Sequence, residues 1–324
     1  MQEYVGNSNN TMQKVLIAVD NGFDSTKVYC VLNNKEYKFK FNSKFEKVIF
    51  EDDLNKNNTF KLYYNNTVYL VGEGATYSNL NNDKYNSDLH KICTYTALSK
   101  ISNFIGYEFD LVVGYPLNIC SYNKDIFSKY LKNNDEVIIT ELDNELKRFK
   151  INDVIVLPQG AVSPYSQDIN KFKDKIIGVI DIGGKTINGI ILDNLNPIRE
   201  TMFTEDLGIL ILYDDIKIKL NSRGYNVMDY QISDIVKNGL IGYDKNEIKT
   251  IIDEVIDEHI SKIKLVMRKR KWAIETLEIL CIGGGSIVLK DYIYKILPYG
   301  IICDDADYVN VKSFYNVGKI YYGY

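Results

Sequence analysis

Histidine and tryptophan are close to absent: 324 residues contain two histidines and one tryptophan. His90 and His259 lie far apart and show no metal-ligand spacing, so they read as ordinary packed or surface side chains. Cysteine is also sparse. Cys30, Cys93, Cys120, Cys281 and Cys303 form no CxxC pair and are odd in number. That speaks against a disulfide framework and suits reduced thiols in a cytoplasmic protein. No apolar run is long enough for a bilayer-spanning helix, so no membrane association is expected. There is no basic excess either. Lysine and arginine total 39 against 43 aspartates and glutamates, a formal net charge of −4. Coating nucleic acid requires a basic surface, so direct DNA binding is not expected, and any link to DNA would run through an adaptor. The P-loop pattern GxxxxGK[ST] is missing, as is a GxGxxG fingerprint with its acidic partner, which removes two common nucleotide-binding folds.

What is present reads as a folded protein of two domains. The hydrophobic fraction is 45% and the charged fraction 25%, ordinary for a globular chain, and the length exceeds what one core usually serves. Residues 1–13 are polar and Asn-rich, without the basic start and apolar centre of a signal peptide, and are expected to be a disordered leader. Strands are expected at Lys14–Val19, Thr26–Leu32, Lys35–Phe41, Thr59–Tyr64, Thr67–Val71, Leu111–Gly114, Glu136–Thr140, Val154–Leu157, Ile176–Ile180, Thr186–Leu192 and Leu277–Ile282, from β-rich or alternating apolar patterns. Helices are expected over His90–Ile105, Asp125–Leu131, Gly208–Leu220 and Glu247–Lys271, and for a few turns after Ala161. Mixed in this order, they indicate an α/β fold. No Pro/Gly/Ser-rich linker separates the halves. The expected division is 14–157 plus 311–324 for one domain and 158–310 for the other, with a cleft between them.

Three turns carry the chemistry. Asp20 ends a buried strand, and Asn21-Gly22-Phe23-Asp24-Ser25 turns the chain towards Lys27 on the next strand. Asp181 ends another strand, followed by Ile182-Gly183-Gly184-Lys185-Thr186. Either turn alone is equally well an ordinary hairpin. Occurring twice, strand–acid–glycine turn–strand marks a repeated unit. Glycine permits tight turns whose amides face an anion, and two strand-end carboxylates suit a hydrated Mg²⁺. The third turn, Gly283-Gly284-Gly285-Ser286, follows a buried strand and allows close backbone approach to a flat ligand.

In this order the three turns resemble the actin, heat-shock chaperone and sugar-kinase superfamily, and the resemblance runs from Lys14 to Tyr324. Within it, Val113-Gly114-Tyr115-Pro116-Leu117, Leu157-Pro158-Gln159-Gly160-Ala161 and Tyr308–Tyr315 resemble segments of ParM-type bacterial actins. The resemblance implies an actin-like fold: two related domains, each a mixed sheet flanked by helices, around a nucleotide cleft. It implies ATP, with GTP as the alternative, and Mg²⁺ organised by Asp20 and Asp181. Gln159 would orient the attacking water. Asn21, Gly22, Phe23, Ser25 and Lys27, with Gly183, Gly184, Lys185 and Thr186, would contact phosphates. Gly283, Gly284, Gly285 and Ser286 would line the adenosine side. Three positions depart from the relatives' pattern. Phe23 and Asp24 replace small residues, Lys185 replaces a small or hydroxyl residue, and Gln159 stands where ParM relatives often carry Glu.

The function so implied is an ATPase that polymerises head to tail and segregates plasmid DNA through a ParR-like centromere-binding adaptor. Two alternatives are a small-molecule kinase of the same superfamily and a non-polymerising ATP-dependent scaffold. Kinases need a carboxylate base near the acceptor hydroxyl, and the sequence beside Gln159 offers none. The basic run Arg268-Lys269-Arg270-Lys271 closes an expected helix and suits its dipole.

Overall fold

The computed structural model describes residues 12–48, 57–76, 88–117 and 120–324. Most of the expected leader, residues 1–11, lies outside them. Among the described residues, nine strands form one sheet and five form a second. The first begins with β1 (Gln13–Asn21), β2 (Ser25–Leu32) and β3 (Lys35–Asn42), consecutive antiparallel strands. β7 (Tyr107–Tyr115) adds parallel to β1, and β9 (Glu145–Pro158) parallel to β7. The second sheet repeats this plan. β10 (Ile176–Ile182), β11 (Ile187–Asp193) and β12 (Asn196–Glu205) are antiparallel neighbours. β13 (Glu278–Ile282) lies parallel to β10, and β14 (Gly300–Ile302) parallel to β13. The repeat read from two acidic turns is therefore a repeat of whole half-sheets. The first sheet alone continues through β8 (Ile138–Leu142), β5 (Thr59–Tyr64), β6 (Thr67–Gly72) and β4 (Phe45–Val48).

The central strands carry continuous apolar runs because helices cover both faces. In β1, Val15 to Val19 are all buried. Helices α1 (Asp88–Ile101) and α8 (Val309–Tyr322) both pack on it. Val311 and Phe314 of α8 join the core built on the first sheet, with α2 (Cys120–Lys132) contributing Phe127 and Leu131. On the second sheet, α3 (Ile209–Ser222), α4 (Asp229–Asn238) and α5 (Lys245–Lys269) form the outer layer. α5 buries Ile248, Ile251, Ile252, Val255, Ile256, His259, Ile260, Ile263 and Met267, an i, i+3, i+4 stripe. Its start is fixed by Asp244, whose carboxylate accepts from the amides of Asn246 and Glu247, a cap worth about 1 kcal/mol. Arg268 at its other end pairs with Glu275 on the exposed surface. Among the described residues, no helix is long and apolar enough to cross a membrane.

Two expectations change. After Ala161 the chain makes short 3-10 turns at Ser163–Ser166 and Ile169–Lys171, not an α-helix. Pro164 sets the first turn, and the segment lacks the periodic apolar face that a longer helix would bury. β9 runs for 14 residues, far longer than Val154–Leu157. In its first half charged and buried side chains alternate, Arg148 and Lys150 against Phe149 and Ile151, because only one face there meets the core.

Candidate functional site

β1 and β10 end at the same place. Asp20 and Asp181 are both buried and line one cavity of about 80 Å³ between the sheets. The turns after them are superposable in their bonding. The Gly22 amide donates to Ser25 O at 2.9 Å, and the Gly183 amide donates to Thr186 O at 3.0 Å. Asp20 pairs across the hairpin with Lys27, as Asp181 pairs with Asn188. The turns face each other closely: a Cβ on Gly184 would stand 2.8 Å from Cβ of Asp24, so only glycine fits. The second turn is held from behind by the start of α3, where the amides of Ile209 and Leu210 donate to Gly183 O and Gly184 O at 2.9 and 2.8 Å.

A chain of side-chain amides joins the two acids. Gln159 at the end of β9 donates Nε2–H to Asp20 Oδ1 at 2.7 Å. The next amide, of Gly160, donates to Asn310 Oδ1 at 3.1 Å, and Asn310 Nδ2 donates to Asp181 Oδ2 at 2.8 Å. Burial pushes the Asp181 carboxyl up to about 6; the Asn310 amide opposes this and the negative charge of Asp20 adds to it. A buried carboxylate raised in this way is short of positive charge. Lys27 supplies some. Burial would lower its pKa, but Asp307, Asp20 and Asp181 outweigh that and hold it above the usual lysine value. Lys27 Nζ lies 2.8 Å from Asp307 Oδ1, and Lys40 pairs with the other oxygen of Asp307.

The third turn abuts the same point. Gly283 has φ +83°, and a Cβ there would meet Asp181 Oδ1 and Ile182 O, each at 2.4 Å. The amide of Gly283 donates to Ala306 O at 2.8 Å, which brings Asp307 to the cavity wall.

Of the residues expected from sequence, Asp20, Gly22, Phe23, Ser25, Lys27, Gln159, Asp181, Gly183, Gly184, Thr186, Gly284 and Gly285 line the cavity. The others stand behind it. Asn21 donates to Thr94 Oγ1 at 2.8 Å and accepts from Thr26 at 2.9 Å. Lys185 Nζ lies 5.3 Å from the Phe23 ring centroid and 3.7 Å from Asp206. Gly283 supports Asp181. Ser286 is fully buried, its hydroxyl donating to Ile282 O at 2.5 Å. Asp24, Asn188, Ile209, Asp307 and Asn310 also line the cavity, without having been singled out as ligand contacts. One of them left a trace in the sequence. The hairpin turn Asn33-Asn34, with φ of 52° and 61°, sets Lys27 opposite Lys40. Two lysines opposed on a sheet repel, and an acid between them is what relieves it.

Among the described residues, no cluster of three or more His, Cys, Asp or Glu side chains is arranged for a metal. Asp307 is committed to Lys27 and Lys40, and the strand-end pair Asp20 and Asp181 suits a cation that keeps its waters and takes other oxygens from its ligand.

The family described as "Actin like proteins N terminal domain" matches residues 18–161, and "Archaeal actin homologue MreB-like, C-terminal" matches residues 179–295. Between them they take in both acidic turns, Gln159 and the triple glycine. The chain belongs to the actin-like proteins. Solved structures agree with this actin-like protein in fold. The pCBH ParM non-polymerisable quadruple mutant superposes with a TM-score of 0.75 at 22% identity, over 95% of this chain and 100% of that one. The archaeal actin homologue Ta0583 in complex with ADP gives 0.72 at 18% identity, over 94% and 99%. The Alp12 filament structure gives 0.71 at 21% identity, over 96% and 100%. No curated protein matches this actin-like protein by sequence.

Proposed function

We propose that the chain binds ATP in the cleft between its two sheets, hydrolyses it, and assembles head to tail into filaments while ATP is bound. The observation that carries this reading is the convergence of the two equivalent acidic turns, with Lys27 and Gln159, on one cavity. Lys27 and both glycine turns line the cavity where phosphates would lie, as do Gly284 and Gly285; the Gly22 and Gly183 amides are spent within their turns, which leaves Lys27 and the rest of each turn to meet the phosphates. Asp20 and Asp181 would hold Mg²⁺, which when bound would neutralise phosphate charge. Gln159 commits Nε2 to Asp20, leaving its carbonyl oxygen to orient a water. Gln is no strong base, but positioning suffices where catalysis is mostly geometry and charge stabilisation.

The cavity is smaller than the ~300–1,000 Å³ of ordinary ligand sites, so nucleotide entry requires the halves to part. Closure then brings the two turns together around the phosphates. A closure that depends on nucleotide is what couples binding to assembly. The head-to-tail contact does not close on itself and so gives an open filament; among structures of the same fold are a filament and an ADP complex. The cargo on this reading is plasmid DNA, captured through a centromere-binding adaptor. Sedimentation with ATP and Mg²⁺, paired with phosphate release, tests the proposal. The protein should pellet with ATP and leave the pellet as phosphate appears. Protein that remains in the supernatant at high concentration, or calorimetry showing neither ATP nor GTP bound, overturns it.

A further inference from the structure

Asn310 occupies an unusual place. It is the second residue of α8, at the junction of two cores. Val309 before it packs with Leu280 and Ile282 of the second sheet, and Val311 after it packs with β1 and β7 of the first. Its side chain is buried and uses both ends. Oδ1 accepts from the Gly160 amide, directly after Gln159, and Nδ2 donates to Asp181.

The same helix face continues the grip on this segment. Asn316 Nδ2 donates to Tyr165 O at 2.7 Å, and Ser313, whose hydroxyl donates to Val309 O of its own helix at 2.7 Å, sits with Oγ 3.2 Å from Ser163 O. Residues 310, 313 and 316 recur at helical spacing, so α8 lays a polar ladder along residues 160–165 that is bonded to them through Asn310 and Asn316. Asn310 is the rung that also reaches the acid of the second sheet. With Gln159 bonded to Asp20, the two acids are joined by three hydrogen bonds through Gln159, Gly160 and Asn310, and Asn310 is the link that reaches the second sheet.

We propose that Asn310 is a positioning residue that holds Gln159 and Asp181 in one register, so that ATP turnover depends on it far more than ATP binding does. This rests on the cleft being an ATPase site. The physical reason is the amide's two-sidedness. An amide carries its acceptor and its donor on separate atoms, so it can span the Gly160 amide and the Asp181 carboxylate at once, whereas a hydroxyl of similar size would have to serve both from one oxygen. If the halves part, the bond from Gln159 to Asp20 is the one that crosses them, and Asn310 keeps the residue next to Gln159 tied to Asp181 so that this bond can re-form in register. Turnover is thereby confined to the closed form.

The test uses the full chain and the variants Asn310→Ala, Asn310→Asp, Gln159→Ala and the double variant Gln159→Ala/Asn310→Ala. ATP binding is measured by calorimetry below the concentration for assembly, and phosphate release at saturating ATP. Asn310→Ala is expected to bind ATP within about threefold of the native protein while phosphate release falls about 10- to 100-fold, the range for groups that orient a catalytic neighbour. The double variant should be no slower than the slower single one, since both disturb one unit. Asn310→Asp keeps the shape and the acceptor for Gly160 but turns a carboxylate on Asp181, and should also lose turnover. It decides the matter if Asn310→Ala does not fold. Native turnover in a folded Asn310 variant, a loss of binding equal to the loss of rate, or multiplying effects in the double variant would overturn the assignment while leaving the ATPase reading intact. A native protein that binds no ATP would overturn both.

Discussion

Lys27 and Asp307 form an ion pair 2.8 Å long across 280 residues of sequence, inside the cleft. Lys27 stands on β2, in the first sheet. Asp307 follows Ala306, which accepts the amide of Gly283 and packs on the second sheet. The pair therefore fastens one half of the molecule to the other at the place where phosphates are proposed to bind. Lys40 shares the acid, and the two lysines together hold Asp307 below the usual carboxylate value although its burial acts the other way.

Replacing Asp307 by Asn removes the pair without changing its shape. Breaking a buried pair leaves an uncompensated charge, at a cost of about 3 kcal/mol. The low end of the range applies because Asp20 and Asp181 still face Lys27. The ligand-free variant should therefore melt lower than the native protein. With one anion fewer in the cleft, ATP should bind more tightly, and the ATP-induced rise in Tm should be larger. A smaller rise than native would show that Asp307 aids the nucleotide instead of competing with it.

Gly283 and Gly224 offer a matched comparison. Both have positive φ, +83° and +88°, where alanine costs about 1–2 kcal/mol from backbone strain alone. A Cβ on Gly224 meets nothing within 4 Å, whereas one on Gly283 meets Asp181 Oδ1 and Ile182 O at 2.4 Å. Gly224→Ala should show only the strain in denaturant unfolding. Gly283→Ala should exceed it clearly and also weaken nucleotide binding, since Asp181 must shift. Equal losses at the two sites would mean that the contact at Gly283 relaxes freely.

The acidic turns were legible because everything that makes them recognisable is local: a strand-end acid, a glycine two residues on, and a second copy of the pattern. Lys27 lies within the same hairpin. Asn310 and Asp307 were not legible as site residues because their partners are distant, Asp181 and Gly160 for the one and Lys27 for the other. Asparagine is also abundant in this chain, so no single one stands out by type. Ser286 went the other way. Its place after three glycines suggested a ligand contact, but the first turn of α6 (Gly284–Val288) directs its hydroxyl back to Ile282 O. The triple glycine itself has a packing cause at Gly283, so it marks a close approach within the protein as well as room for a ligand.

His259 should make stability depend on pH. It is buried on α5, with Nε2 3.0 Å from Leu207 O. Burial lowers its pKa, and Lys262 adds to this, against the Leu207 carbonyl and Asp215. The unfolded chain then takes up a proton at the ordinary value of about 6.5 while the folded chain does not. Stability is thus lost as pH falls below that value, and the loss levels off below the folded pKa. Denaturant midpoints between pH 7.5 and pH 5 should fall less in His259→Gln than in the native protein. Parallel curves would place the acid sensitivity elsewhere.

Gln159 allows a prediction specific to this chain. The resemblance to ParM-type actins implies that Gln159→Glu should be harmless or even improve hydrolysis by adding a base. The geometry argues the opposite. Gln159 Nε2 donates to Asp20 Oδ1 at 2.7 Å, and a glutamate would set a second anion against a buried one. Either it takes up a proton, and offers no base, or it swings away from the cleft. Like charges at such a distance inside a protein are strongly unfavourable, so the loss of position outweighs the gain in basicity. Gln159→Glu and Gln159→Ala should both reduce phosphate release by about 10²-fold, the effect of misplacing a reacting group. If ATP binding survives in Gln159→Ala, filaments should still form with ATP and should persist longer than native ones, because the step that loosens them is slowed. Time-resolved light scattering alongside phosphate release separates these effects. A Gln159→Glu protein that hydrolyses as fast as the native one would show that the bond to Asp20 is dispensable and that the water is oriented by another group.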